Sequence, residues 1–320
     1  MSENKFTYSF ILLTYNQEDT VAAAVAAALA QDCAPMEIVI SDDCSTDATV
    51  SVIERTVASY NGPHRVVVNK NKVNLGLAQH IARVHEISNG DVLIAAAGDD
   101  ISLPHRSVRI MDVVEADAPL LVCSRARVVD ENGQDVAANY LSATFYNSFD
   151  PVKAAKSRAL YLGATGAWHR TLFEKYGPIE SGAYEDLVMG FRAAMEGRIA
   201  AIDEELVVYR LGSGLTSSAV DGLVPAALVA DQIRQLTAWQ AVLRQRFKDA
   251  RTFGISQKSA IWAALLQADA RAHLRLGYYQ GNTKVLLAYG LRHPLLLAHT
   301  VHFERRRIRK LMRRAQSAMA

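Results

Sequence analysis

Through its first two thirds this chain alternates short apolar runs with helix-length segments, and most of the runs end in a polar or acidic cluster. The runs are residues 10–13 (FILL), 37–41 (EIVIS), 65–69 (RVVVN) and 91–97 (DVLIAAA), with a fifth over 120–130 that ends at the turn Glu131-Asn132-Gly133. Between them lie 21–30, almost all alanine and valine, then a segment capped by Ser45, Thr46 and Asp47 that runs to about Tyr60, then 77–88. Parallel strands need a crossover of a dozen or more residues, which helices supply. The alternation therefore predicts an α/β fold with a doubly wound, mostly parallel sheet. After Leu215 the pattern is helical throughout, over about 226–249, 256–278, 283–292 and, past Pro294, 295–315. The expected organisation is one α/β domain over 1–215 and an all-helical region over 216–320.

Half of the 320 residues are apolar and 21% are charged, so the chain can bury a core without staples. Cys33, Cys44 and Cys123 form no Cys-x-x-Cys pair and are odd in number, which argues against a disulfide framework and a cysteine zinc site. The first residues lack the pattern of a secretion signal, and no window of about 18 residues is apolar enough to span a bilayer. A cytoplasmic protein is expected. The net charge of +2 is unevenly spread: residues 300–320 hold seven Lys/Arg against one Glu, so the remainder is mildly acidic. Ile308, Leu311, Met312 and Ala315 recur at helical spacing among the arginines, as in a basic amphipathic helix. Such a helix suits peripheral docking of 300–315 on the inner, anionic face of a membrane; a solvated helix on the protein's own core and an oligomer contact are the other readings. Nucleic acid is not expected as a partner, because the body is acidic and no recognised nucleic-acid module is present.

Ligands on open parallel sheets bind outside the carboxyl ends of the strands. Thr14-Tyr15-Asn16 follows the first run, Asp42-Asp43-Cys44-Ser45 the second and Gly98-Asp99-Asp100 the fourth. Any one Asp or Asn there is an ordinary turn or cap residue. Four carboxylates on one edge are different: they repel unless a cation or donor ligand lies between them. Oxygen ligands of this kind favour Mg²⁺ or Mn²⁺ shared with substrate phosphates. Further on, Glu185-Asp186 precedes Leu187, Val188, Phe191, Ala194 and Met195, an apolar stripe that puts Asp186 at a helix start. On position alone Asp186 is a first-turn charge favoured by the helix dipole.

The order and spacing of TYNQ, EIVISDDCSTDAT, NLG, GDVLIAAAGDD followed by ISLP, and YED before an amphipathic helix resemble those of the inverting glycosyltransferases of family 2, which have the GT-A fold. The resemblance covers about residues 6–215. It implies a nucleotide-binding set of Thr14, Tyr15, Asn16, Asp42 and Asp43, with Tyr15 and Asp42 at the base and ribose. It also implies metal binding at Asp99 with Asp100 beside it, and Asp186 as catalytic base. The implied donor is a nucleotide-diphosphate sugar, UDP foremost, used with Mn²⁺ or Mg²⁺. The implied acceptor is a hydroxyl of a glycan or lipid-linked molecule, as in cell-surface polysaccharide synthesis. The implied reaction is one in-line displacement at the anomeric carbon. A carboxylate takes the acceptor's proton, and a divalent ion stabilises the leaving diphosphate.

The chain departs from the family pattern at three places. Ala97 stands two positions before Asp99, where the family carries an earlier Asp, so metal binding would rest on Asp99 with phosphate oxygens and water. His80-Ile81-Ala82 replaces Ala-Arg-Asn, leaving Arg83 as the nearby cation. Gly212 and Ser213 follow Tyr209-Arg210 where a histidine is usual. Gly212 and Gly214 suggest a loop that closes over the diphosphate with Arg210 as a clamp, unless Arg210 lies on a solvated surface. Trp168 reads either as a platform for an acceptor sugar or as a core side chain. Two other functions are weighed. One is a nucleotide-sugar-binding module of weak or no activity, favoured by Ala97. The other is a nucleotidyltransferase, which would carry a Gly-rich phosphate loop where Thr14-Tyr15-Asn16-Gln17 stands.

Overall fold

The computed structural model describes residues 5–136, 143–211 and 225–318, with backbone alone at 225–226 and 311–318. It divides into two compact units, residues 1–181 with 185–217, and 182–184 with 218–320.

In the first unit the alternation becomes β1 (Tyr8–Thr14), α1 (Val21–Leu29), β2 (Glu37–Asp42), α2 (Thr49–Ala58), β3 (Arg65–Lys70), α3 (Leu77–Ile87) and β4 (Val92–Ala97). β1 pairs in parallel with β2 and with β4, and β2 with β3. β1, β2 and β4 are buried almost throughout, on both faces, and so read as continuous apolar runs rather than as alternating ones. The chain continues through β5 (Ile101–Ser102), α4 (Arg106–Asp117), β6 (Leu121–Val129), α5 (Pro151–Lys156), β7 (Ala167–His169), α6 (Thr171–Tyr176), α7 (Glu185–Glu196) and β8 (Ile199–Arg210). The eight strands form one sheet in the order β3-β2-β1-β4-β7-β6-β8-β5. β7 runs antiparallel to β4 and β6, β5 antiparallel to β8, and β6 parallel to β8. The fold is the expected α/β arrangement, a mixed and mostly parallel sheet followed by helices.

β5, β7 and β8 were not among the expected strands. β5 and β7 are only two and three residues long. β8 has Asp203, Glu204 and Glu205 in its middle, which hides the apolar pattern, and its pairing with β6 is irregular around Arg125. Those acids are matched after folding: Glu204 binds His105 (3.0 Å) and Arg109 (2.9 Å), and Asp203 binds Arg125. Trp168 lies in β7 in register with Leu93 and Leu121 and is 1% exposed. It is a core side chain, and the platform reading fails because no face of the ring is left for a sugar.

Arg106 is wholly buried beneath the β4–β5 turn. Its guanidinium donates to Ser102 Oγ (2.8 Å) and to the Ala95 carbonyl (2.6 Å), and sits 5.8 Å from the Phe10 ring centroid. A buried cation is tolerated only with partners of this kind.

The second unit holds α8 (Pro225–Phe253), α9 (Ala260–Tyr279), α10 (Thr283–Arg292) and α11 (Pro294–Ala318). Ser259 and Asn282 cap α9 and α10 through their side-chain oxygens, and Pro294 opens α11, where a missing N–H costs nothing. α9 packs against α8, α10 and α11. Glu304 on α11 is fully buried and accepts from Arg275 Nε (2.5 Å) and the Tyr279 hydroxyl (2.6 Å), fastening α11 to α9. Among the described residues no helix is long and apolar enough to cross a membrane. Of the expected amphipathic stripe, Ile308 is half-buried; the side chains of Leu311, Met312 and Ala315 lie outside the described residues.

At the amino ends of the strands one carboxylate acts as a structural tie. Glu37 is 8% exposed and accepts from Ser9 Oγ (2.6 Å), the Asn89 backbone N–H (2.8 Å), Asn89 Nδ2 (2.7 Å) and Arg65 Nη1 (2.5 Å). Burial raises its pKa, but these donors outweigh burial and hold it below the usual glutamate range. A carboxylate of lowered folded pKa stabilises above its unfolded pKa and loses that contribution as pH falls through the folded one. Glu37→Ala is therefore expected to lower the unfolding free energy by about 3 kcal/mol near neutral pH. The deficit should shrink as pH falls below the usual glutamate range. Urea unfolding of both proteins over that range checks it, and a deficit independent of pH would show that the ionised form is not what matters.

Candidate active site

The register of the central strands sets three polar clusters side by side. Thr14 is level with Asp42 across β1–β2, and Leu13 with Ala97 across β1–β4. Gly98 continues β4 and fits so closely that a Cβ there would lie 2.4 Å from Gln17 Oε1 and 2.9 Å from Thr14 Cγ2. The segments after β1 and β2 are laced together. Asn16, at φ +49°, donates its backbone N–H to Ser45 Oγ (2.8 Å) and accepts at Oδ1 from the Thr46 N–H (2.9 Å). The Gln17 N–H reaches Thr49 Oγ1 (2.7 Å), and Glu18 accepts from the Ala48 N–H (2.7 Å). TYNQ and DDCSTDAT are thus the two halves of one hydrogen-bonded loop pair.

Within it Asp42 is 1% exposed. It accepts from Thr14 Oγ1 (3.0 Å), the Ser45 N–H (2.8 Å) and Ser45 Oγ (2.5 Å). Asp43, also buried, accepts from Asn71 Nδ2 (2.8 Å) and from the backbone N–H groups of Leu75 (2.9 Å) and Gly76 (2.9 Å). This explains the NLG motif: Gly76, at φ +72°, turns the chain so that consecutive amides point at one carboxylate. Thr14 is buried and braces Asp42, Tyr15 is half-buried and Asn16 is exposed. His80 is buried and bonds Ser41 Oγ through Nε2 (2.7 Å); burial lowers its pKa, against the pull of Asp43 and Asp42. It is a brace behind β2. Arg83 lies on the exposed face of α3 paired with Glu86 (3.2 Å), so it does not replace the missing arginine.

After β4, Asp99 and Asp100 are both buried, at 3% and 4% exposure. Asp100 Oδ1 accepts from the Arg210 backbone N–H (3.0 Å), which brings the end of β8 to the acidic turn. Burial and the adjacent Asp99 push the Asp100 carboxyl up to about 8. Two hard oxygen donors, adjacent and dry, have the chemistry that a divalent cation of the Mg²⁺ or Mn²⁺ type would relieve. Among the described residues no three His, Cys, Asp or Glu side chains converge to hold a metal alone, so its other ligands would come from phosphate and water. Gly212, Ser213 and Gly214 lie outside the described residues.

Glu185 and Asp186 form the first turn of α7. Both are half-buried, and Asp186 Oδ1 accepts from the Leu187 N–H (2.7 Å). The pair rests on a 3₁₀ turn at Gly163–Thr165. A Cβ on Gly163 would lie 2.4 Å from Glu185 Oε1 and 3.7 Å from Asp186 Cβ. That turn hangs from β4: the Gly166 carbonyl accepts from the Ala95 N–H (2.9 Å) and from Arg106 (3.4 Å). Loss of hydration, with Asp186 adding, pushes the Glu185 carboxyl up to about 8. Tyr161, 3% exposed and stacked on Phe145, carries a buried hydroxyl with no partner among the described residues. Burial raises its pKa, and the charges of Asp186 and Glu185 raise it further.

Asp42, Asp99 and Asp100 therefore follow neighbouring parallel strands at one sheet edge, and Asp186 stands beside Gly163, in a turn whose next residue, Gly166, is bonded to β4. Tyr161, Gly163 and Arg106 were not among the expected site residues. The glycines 163 and 166 were the available signal, since Gly166 too has no room for a Cβ beside the Tyr161 ring (2.7 Å).

This fold has solved counterparts. The chain aligns with residues 1–349 of TarS from S. aureus, in complex with UDP-GlcNAc, at 16% identity over 90% of this chain and 92% of that one, with a TM-score of 0.54. It aligns with the mannosyltransferase PcManGT from Pyrobaculum calidifontis, in complex with GDP-Man and Mn²⁺, at 17% identity over 98% and 85%, with a TM-score of 0.57. At these identities the likeness is one of fold. EpsE of Bacillus subtilis, named provisionally as a glycosyltransferase, is 33% identical over 98 residues, 31% of this chain and 34% of its own. The chain spans 34% of EpsE and 58% to 64% of curated relatives that match over more than 200 residues. A model of the family described as glycosyl transferase family 2 matches residues 9–177, from β1 to the end of α6. Since that match takes in just over half of the chain, and with it the strand ends that carry the acidic clusters, the chain belongs to glycosyl transferase family 2.

Proposed function

We propose that the chain is an inverting glycosyltransferase. It would move a sugar from a nucleotide-diphosphate sugar, UDP-linked foremost, to a hydroxyl of a glycan or lipid-linked acceptor. One observation supports this reading: buried Asp42, Asp99 and Asp100 follow neighbouring parallel strands at one sheet edge, and the carboxylate pair Glu185 and Asp186 rests on a turn bonded to one of those strands, β4. Structures of the same fold with UDP-GlcNAc, and with GDP-Man and Mn²⁺, support a nucleotide-sugar donor. A lipid-linked acceptor would be met at an anionic membrane surface, a partner that the basic segment 300–315 suits.

In this reading residues 1–215 do the chemistry. Tyr15 meets the base and Asp42 the ribose, held by Thr14, Asn16, Asp43 and the loops they brace. Asp99 and Asp100 would hold a divalent ion, whose positive charge would offset the negative charge of the diphosphate. A sugar hydroxyl is a poor nucleophile near neutral pH, so Asp186 takes its proton as the acceptor oxygen bonds the anomeric carbon from the side opposite the diphosphate. The bond to the diphosphate breaks in the same step and the anomeric configuration inverts. Arg210, whose backbone N–H binds Asp100, would clamp the leaving diphosphate through its side chain. Ala97 favours the second reading, a nucleotide-sugar-binding module of little or no activity; donor-dependent release of nucleoside diphosphate in the presence of acceptor separates the two.

A thermal-shift screen of UDP-, GDP- and dTDP-sugars, with and without Mn²⁺, identifies the donor, because a ligand stabilises only the state that binds it. With that donor, Asp186→Asn is expected to cut transfer by about 10³-fold while leaving the donor's thermal shift nearly intact. Equal loss of both would give Asp186 a structural role. Asp99→Ala should raise the Mn²⁺ needed for half-maximal turnover by about tenfold or more, and an unchanged metal titration would remove Asp99 from the site. In Gly163→Ala the new methyl meets chiefly the mobile end of Glu185, so the melting temperature should stay near wild type while turnover drops by about tenfold through the displaced carboxyl. Full turnover in this variant would uncouple Glu185 from the reaction.

A further inference from the structure

The second unit presents an outer face with two properties that are rarely combined. Five of the seven large hydrophobic side chains found exposed among the described residues fall between 266 and 303. Leu287 is 63% exposed, Leu291 82%, Leu295 86% and Phe303 51%. Leu287 and Leu291 stand one helical turn apart on α10, and Leu295 follows at once at the start of α11. The same stretch has little exposed negative charge: Asp269 is half-buried and paired with His273 (3.3 Å). Between residues 270 and 318 the only carboxylate is Glu304, and it is fully buried and taken up by Arg275 and Tyr279.

The helical period organises what remains. Leu295, His299, His302, Arg306 and Arg309 recur at spacings of four and three, so they share one face of α11 over about 21 Å, and all five are exposed. Thr300 and Glu304, on the opposite face, are buried. The outward stripe thus begins apolar at the α10–α11 corner and becomes cationic along α11. Water is a poor solvent for the first part, and the second part requires anions. A second copy of this chain docked face to face would set like charges against each other.

We propose that the α10–α11 corner is a membrane-docking wedge. Leu287, Leu291 and Leu295 enter the acyl boundary of an anionic bilayer, and Arg292, Arg306 and Arg309 stay among its headgroups. The wedge lies on the surface and does not span it. It deepens the membrane part of the proposed function, and vesicle binding is read without donor or acceptor, so its failure leaves the transfer reaction untouched.

The test is co-sedimentation of the full chain with vesicles of phosphatidylcholine alone and of phosphatidylcholine with about 30% phosphatidylglycerol, at low and high salt. The expected result is binding to the anionic vesicles at low salt and little to the neutral ones. Leu287→Ser/Leu291→Ser/Leu295→Ser should weaken that binding by about tenfold or more, and Arg306→Ala/Arg309→Ala by about 30-fold at low salt. All five positions are exposed, so the variants should melt near wild type; Leu291→Ser alone serves if the triple variant does not. Three results would overturn the proposal. One is wild-type protein that stays in the supernatant with anionic vesicles. Another is undiminished binding by the leucine variant. The last is a wild-type dimer in sedimentation velocity that the leucine variant dissociates, which would make the face a contact between copies.

Discussion

Parallel pairing of β1 with β2 on one side and β4 on the other is the constraint on which the rest of this molecule depends. Parallel strands point their carboxyl ends the same way, so whatever follows each strand is delivered to one edge. Their near-complete burial fixes the register, because a slip of one residue would send every side chain to the opposite face of the sheet, where different partners are packed. Arg106 reinforces this from below, joining the Ala95 carbonyl, Ser102 and the Phe10 ring, and it stands as the buried cation under the acidic turn. Its charge pulls the Asp100 carboxyl down, but burial and Asp99 together prevail.

The two ends of the sheet handle carboxylates in opposite ways. At the amino ends Glu37 is surrounded by donors and is held ionised, which stabilises the fold. At the carboxyl ends Asp100 and, on the α7 turn, Glu185 are crowded and dried, with raised pKa values. Such crowding costs stability, and it persists because the surrounding backbone over-determines it. Asp42 and Asp43 lie between these extremes. Each is buried and hydrogen-bonded to the loops around it, so much of the apparent ligand-binding motif shapes the pocket wall as well as presenting groups to it.

The helical unit matches buried acids in the same way: on α8, Asp249 accepts from Gln245 Nε2 (2.7 Å). The acid on α11, Glu304, is buried and matched by Arg275 and Tyr279, which orients the helix, and Arg305, Arg306, Arg309 and Lys310 are exposed. The leucines at the α10–α11 corner stay exposed because α10 meets α9 through other side chains, Val285 and Leu286 beside Gly277.

Much of this was legible in the sequence. The strands β1 to β4 and β6, the helices α1 to α3 and α8 to α11, and the acidic strand ends follow from apolar runs of strand length, helical periodicity and cap residues, all of which are local properties. β7 and β8 escaped because their strand character comes from neighbours: β7 is three residues wedged between β4 and β6, and β8 hides its pattern behind acids that find Arg109, His105 and Arg125 only in the folded chain. Trp168 showed only that an aromatic followed two glycines; its 1% exposure is a property of the sheet around it. Likewise the pairing of Glu185 with Gly163, the isolation of the Tyr161 hydroxyl and the burial of His80 depend on segments tens of residues apart. The sequence by itself determined the elements and the side chains offered at their ends. Only the tertiary structure decided which of those groups are committed to holding loops and which are left dry and crowded, because desolvation depends on every chain segment that closes over a site.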